Sequence, residues 1–171
     1  MTATRVTFFL GGARSGKSRL AQQLAESHDG TLVYLATGQA FDAEMTDRIA
    51  RHRADRGPRW HTIDCPLDLP DAIRRRSVAG TVLLVDCLTL WASNLLLSDA
   101  DMAAATADLL AAIAGAPGPI IIVSNEVGLG IVPDNALARR FRDDVGRLHQ
   151  GVAALADRVH LVAAGLSLRL K

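Results

Sequence analysis

Two hydrophobic periods alternate along the chain. Short apolar, β-rich runs are separated by stretches in which apolar residues return every third or fourth position. That is the pattern of a parallel sheet covered by helices on both faces. Val6-Thr7-Phe8-Phe9-Leu10 reads as a buried strand, and Ser18 to Glu26 reads as a helix with Leu20, Ala21 and Leu24 on one face. Thr31 to Ala36 predicts a second strand, followed by a polar helix from about Asp42 to Ala54 that Gly57-Pro58 stops. A short strand over Trp60 to Ile63 and a helix near Leu69 to Arg75 lead to the core strand Thr81 to Asp86. Helices follow over Leu88 to Leu97 and Asp101 to Ala114, then a strand over Pro119 to Ser124.

The longest helix is expected from Asn135 toward Ala156. Its positions Leu137, Phe141, Val145, Leu148, Val152 and Leu155 step by three or four and predict one continuous buried stripe. Arg158 to Ala164 reads as a further strand. The alternation Leu166, Leu168, Leu170 after Gly165 predicts an antiparallel hairpin partner at the sheet edge. No repeat or linker interrupts the series, so residues 1–171 read as one α/β domain.

Composition narrows the classes. Nineteen basic and 18 acidic residues leave a net charge of +1, which gives no electrostatic case for nucleic acid or a membrane surface. No apolar stretch approaches the roughly 20 residues needed to span a bilayer, and the chain enters its first strand without the zones of a signal peptide. Cys65 and Cys87 are too few and too far apart for a metal site or disulfide framework, so both are expected as reduced thiols in a cytoplasmic protein.

Against this background one residue stands out. The chain has 19 lysines and arginines, of which only Lys17 and Lys171 are lysine. Lys17 completes Gly11-Gly12-Ala13-Arg14-Ser15-Gly16-Lys17-Ser18, which fits G-x-x-x-x-G-K-[ST] between a strand and a helix. In that context backbone N–H groups and the positive end of the helix face an anion. Lys17 would reach the β- and γ-phosphates of a nucleotide, and the Ser18 hydroxyl would hold Mg²⁺. A glycine-rich turn with a chance Lys-Ser is the plainer alternative.

In open α/β sheets ligands collect at the carboxyl ends of the strands. Asp86 ends its strand there and reads as a carboxylate serving Mg²⁺, or else as a turn or helix cap. Glu126 follows Ile121-Ile122-Val123-Ser124-Asn125. It has three readings: a contact to a nucleotide base or ribose, a group positioning an acceptor hydroxyl, or a cap for its own loop. The helix Glu44 to Arg56 carries His52 between Arg51 and Arg53, with Arg48 and Arg56 four residues to either side. Surrounding positive charge biases the imidazole toward its neutral, nucleophilic form, and the arginines suit phosphate oxygens. Glu44 before Arg48 and Asp47 before Arg51 equally fit an exposed helix, the reading that spacing alone favours.

Taken together, the motifs resemble the bifunctional adenosylcobinamide kinase/adenosylcobinamide-phosphate guanylyltransferase family of cobalamin biosynthesis. The matching pieces are residues 11–18, Tyr34-Leu35-Ala36-Thr37, and Asp42-Ala43-Glu44-Met45 with Arg48-Ile49 and His52-Arg53. Val85-Asp86-Cys87-Leu88-Thr89-Leu90-Trp91 with Asn94-Leu95-Leu96, then residues 125–133, then Arg139 to Asp143 and the Gly165 segment continue the series in order. The resemblance implies a RecA-like P-loop NTPase fold and two reactions. ATP or GTP would phosphorylate adenosylcobinamide. GTP would then guanylylate a histidine, and adenosylcobinamide phosphate would take up the GMP to give adenosylcobinamide-GDP. The guanylylated histidine falls on His52, which reverses the preference from spacing. Nucleotide contacts are implied for residues 11–18, Arg53 and Glu126, Mg²⁺ contacts for Ser18 and Asp86, and a homo-oligomer, commonly a trimer, for the assembly. A monofunctional small-molecule kinase is the alternative within the class. A RecA-like nucleotide-dependent binding module is the alternative outside it.

Overall fold

A computed structural model describes residues 5–39 and 56–171. In chain order the elements are β1 (Val6–Gly11), α1 (Lys17–Glu26), β2 (Thr31–Ala36), β3 (Trp60–Asp64), α2 (Leu69–Arg76) and β4 (Thr81–Asp86). They continue as α3 (Leu88–Leu97), α4 (Met102–Gly115), β5 (Ile120–Asn125), α5 (Ala136–Leu155), β6 (Arg158–Ala163) and β7 (Leu166–Arg169). The helix expected over Asp42 to Ala54, with His52 and Arg53, lies outside the described residues.

The strands form one sheet in the order β3-β2-β4-β5-β1-β6-β7. All pairings are parallel except the last, where β6 and β7 run antiparallel as the leucine alternation predicts. Ala164 and Gly165 make the two-residue turn between them, both with positive φ (51° and 79°), as primed hairpin turns require.

The strand period of two divides the core. Phe8, Val33, Leu35, Leu83, Val85 and Ile122 face one side of the sheet and pack with α2, α3, α4 and α5. Phe9, Leu32, Leu84, Ile121 and Val123 face the other, where Ala21 and Ala25 of α1 cover them. Side-chain caps set two helix starts. Asp101 accepts from the amides of Ala103 and Ala104 at the head of α4, and Asn135 does the same for Leu137 and Ala138 at the head of α5.

The stripe on α5 is shorter than its periodicity suggests. Val145, Leu148 and Val152 are fully buried, Phe141 is half-buried, and Leu137 and Leu155 are exposed. Twenty helical residues span about 30 Å, whereas a six-residue strand spans about 20 Å, so the helix is longer than the strands of the sheet. Among the described residues no helix is long and apolar enough to cross a membrane.

Candidate active site

The register of the parallel strands brings their carboxyl ends to one rim. Gly11 lies opposite Asn125, while Asp86 lies between Ala36 on one side and Val123 on the other. The loop from Gly11 to Gly16 therefore opens on the same rim as Asp86, Thr37 and Asn125.

Close packing shapes the loop. A Cβ on Gly11 would sit 2.3 Å from the carbonyl oxygen of Val162 and 2.8 Å from Ser15 Oγ. Gly16 has φ +95°, and a Cβ there would come within 3.1 Å of Gly165 Cα. The amide of Gly165 donates to Ser15 O at 2.7 Å, so the β6–β7 turn buttresses the loop from behind. Gly16 is the N-cap of α1 and supplies no side-chain acceptor, so no cap competes for the first amides of that helix. Lys17 is 7% exposed, and its Nζ donates to Gly12 O at 2.9 Å. Arg14 and Ala13 are exposed, and Ser18 is half-buried.

A clasp of hydrogen bonds holds the rest of the rim. Thr37 Oγ1 donates to Cys87 O at 2.7 Å and accepts from Cys87 N at 2.8 Å, joining the ends of β2 and β4. Asn94 donates to the carbonyls of Thr37 and Pro66, which brings in the end of β3. Thr89 Oγ1 accepts from both the backbone and the side-chain amide of Asn125 at the end of β5. Several motif residues away from the phosphate loop thus act as fasteners of the rim. Their spacing in the chain carries no such signal, because each bond joins different elements. Burial pushes the Cys65 thiol up to about 12 and the Cys87 thiol up as well, so both behave as inert core groups.

Asp86 is half-buried, and its Oδ2 accepts from the hydroxyl of Tyr34 at 2.9 Å. Burial above all, then the charge of Asp86, raises the Tyr34 pKa well beyond the ordinary tyrosine range, so the phenol stays a donor. The Arg56 guanidinium lies 3.5 Å from the centre of the Tyr34 ring. Sequence reasoning left Tyr34 without a role. Glu126 uses its carboxylate on its own loop, accepting from Gly128 N at 2.8 Å and Leu129 N at 3.1 Å. Trp91 is fully buried, with its indole donating to Leu67 O, and Trp60 donates to Glu26, so both serve packing.

His149, on the long helix, is a second residue whose partner its spacing in the chain does not reveal. It lies on α5, 9% exposed, with Nε2 2.7 Å from Ser124 Oγ and its ring tilted against Phe8. Burial pushes its pKa down to about 4, against a smaller upward pull from Glu126. An unfolded histidine titrates near 6.5, so between pH 6.5 and 4 the unfolded chain takes up a proton that the folded chain refuses. This group's stabilisation is complete above pH 6.5 and declines by on the order of 3 kcal/mol by pH 4. His149→Gln should flatten that part of the stability profile, as read from urea midpoints at several pH values. A variant profile parallel to that of the wild type would assign the acid loss to other groups.

The chain matches the family described as cobinamide kinase / cobinamide phosphate guanyltransferase over residues 7–170. It is 50% identical to the bifunctional adenosylcobalamin biosynthesis protein CobP of Pseudomonas aeruginosa over 164 residues, 95% of each chain. It is 40% identical to the bifunctional adenosylcobalamin biosynthesis protein CobU of Salmonella typhimurium, covering 94% of this chain and 97% of that one. Among solved structures it is similar in fold to the assembled ATPase EscN of the enteropathogenic E. coli type III secretion system. That likeness has a TM-score of 0.57 and 12% identity, over 97% of this chain and 48% of that one.

Proposed function

From the premise that the chain belongs to the cobinamide kinase / cobinamide phosphate guanyltransferase family, we propose that one rim of its sheet serves both transfers, with His52 as the acceptor of the guanylyl group. The chain is a cobalamin-biosynthesis transferase of two activities, a kinase and a guanylyltransferase. In the first, the γ-phosphoryl of ATP or GTP passes to the hydroxyl of adenosylcobinamide. In the second, an imidazole nitrogen of His52 attacks the α-phosphorus of GTP, the bond from that phosphorus to the bridging oxygen breaks, and pyrophosphate leaves. The phosphate of adenosylcobinamide phosphate then attacks the same phosphorus and frees the histidine, giving adenosylcobinamide-GDP.

The observation that carries this reading is the meeting of the glycine-shaped loop 11–16, buried Lys17 and Asp86 on one rim. The loop amides and the uncapped start of α1 cradle phosphate oxygens, and Lys17 exchanges its bond to Gly12 O for the charge at the β–γ bridge. Ser18 and Asp86 fit Mg²⁺. Both are hard oxygen donors, and this ion is held by one or two carboxylates together with waters and substrate phosphates. Bound there, it neutralises phosphate charge during transfer. Arg53 steadies the nucleotide phosphates beside His52. Glu126 orders the loop after β5 and so shapes the wall of the nucleotide site.

Product analysis tests the assignment. With adenosylcobinamide, Mg²⁺ and GTP the expected products are the phosphate and then adenosylcobinamide-GDP, whereas ATP alone should stop at the phosphate. GTP labelled at the α-phosphate should leave label on the protein. Phosphorylation without any protein label would reduce the chain to a kinase.

A further inference from the structure

Tyr34 is opposite Thr62 on β3 and Leu84 on β4, so Tyr34, Thr62 and Asp86 project from one face of the sheet at its rim. The Tyr34 hydroxyl donates to Asp86 Oδ2 at 2.9 Å. The ring is held on two other sides. Arg56 stacks its guanidinium on the face, 3.5 Å from the centroid, and Trp60 meets the ring edge-on at 6.1 Å. Arg56 also donates to Thr62 Oγ1 at 3.4 Å, while its buried Nε has no hydrogen-bond partner. The aromatic face is therefore a main support of this cation. Arg56 also stands four residues after His52 in the chain. One continuous path of contacts runs from Arg56, through an aromatic ring, to the carboxylate at the end of β4.

We propose that Arg56 and Tyr34 are positioning residues tied in series to Asp86, the cation seating the ring and the ring's hydroxyl orienting the carboxylate. The inference rests on the reading that Asp86 serves the metal-bound nucleotide. Neither positioning residue need touch a reacting atom. Tyr34 restricts Asp86 to one orientation, and Arg56 restricts the ring. A change at Arg56 therefore reaches Asp86 only through Tyr34. That order of dependence separates a tie from two unrelated packing contacts.

Binding of Mn²⁺, followed by electron paramagnetic resonance with a non-hydrolysable GTP analogue, reads the orientation of Asp86 apart from turnover. Tyr34→Phe keeps the ring and its stack but removes the hydroxyl, and should weaken Mn²⁺ binding about tenfold, as loss of an outer-shell partner does. Arg56→Gln should weaken it about threefold, and the double variant should be no weaker than Tyr34→Phe alone. Arg56→Lys, which keeps a cation over the ring without the flat stack, should fall between wild type and Arg56→Gln. Melting curves of each variant separate loss of fold from loss of orientation. Effects that add in the double variant, or an Arg56→Gln protein with wild-type Mn²⁺ affinity, would overturn the tie. Asp86→Asn is the separate control. If it left Mn²⁺ binding unchanged, the metal assignment of Asp86 would itself be wrong, whatever the Tyr34 and Arg56 variants did.

Discussion

Lys17→Ala should lower the rate of adenosylcobinamide phosphorylation by about 10²–10³-fold, the usual cost of removing one preorganised group at developing charge. Lys171 donates to the carbonyls of Ala153 and Ala154 near the end of α5, so Lys17 is the ammonium at the phosphate loop. Its burial raises the electrostatic worth of its charge, because water screens it poorly. Lys17→Arg should restore little. A planar fork on a longer stem does not reproduce a point charge, and Lys17 is buried. Initial rates with ATP and with GTP, each at saturating adenosylcobinamide, measure the effect. A full rate in Lys17→Ala would remove the nucleotide from this loop. Labelling from α-labelled GTP in the same variant shows whether guanylylation passes through the same loop. A parallel fall is the outcome expected of the proposal that one rim serves both transfers.

The second large effect is on the other activity. His52→Ala should abolish the protein-bound GMP while leaving phosphorylation within about threefold of wild type, because a residue used in one chemical step need not support the other. Arg51 and Arg53 adjoin His52 in the chain, and Arg48 and Arg56 stand four residues away, the charge pattern expected around a neutral, attacking imidazole. The adduct should have the chemistry of a phosphoramidate, released by acid and stable to base. Label that persists in His52→Ala, or that is lost in base and kept in acid, would transfer the nucleophile's role to another residue.

Much of this is legible in the sequence. The strand positions followed from runs of β-branched and apolar residues, and the terminal hairpin from Leu166, Leu168 and Leu170, because period-two alternation is a local property. The phosphate loop was legible for the same reason: its glycines, lysine and serine are neighbours in the chain, between a strand and a helix. Periodicity predicts a longer buried stripe on α5 than the structure has, since it reports which face is apolar but not how far the neighbouring elements cover it. The sequence leaves Glu126 with three readings, because its bonds to Gly128 and Leu129 depend on the conformation of the loop.

By itself the chain determined its element order, its loop for phosphate and the pairing of a histidine with arginines, all encoded within a few residues. Only the tertiary structure decided that Tyr34 holds Asp86 from 52 positions away, that Arg56 rests on the same ring, and that Gly165 backs Gly16. Those meetings depend on the order β3-β2-β4-β5-β1-β6-β7, which sets the neighbours of each strand end. No local period carries that order. It emerges when the whole sheet buries both faces at once.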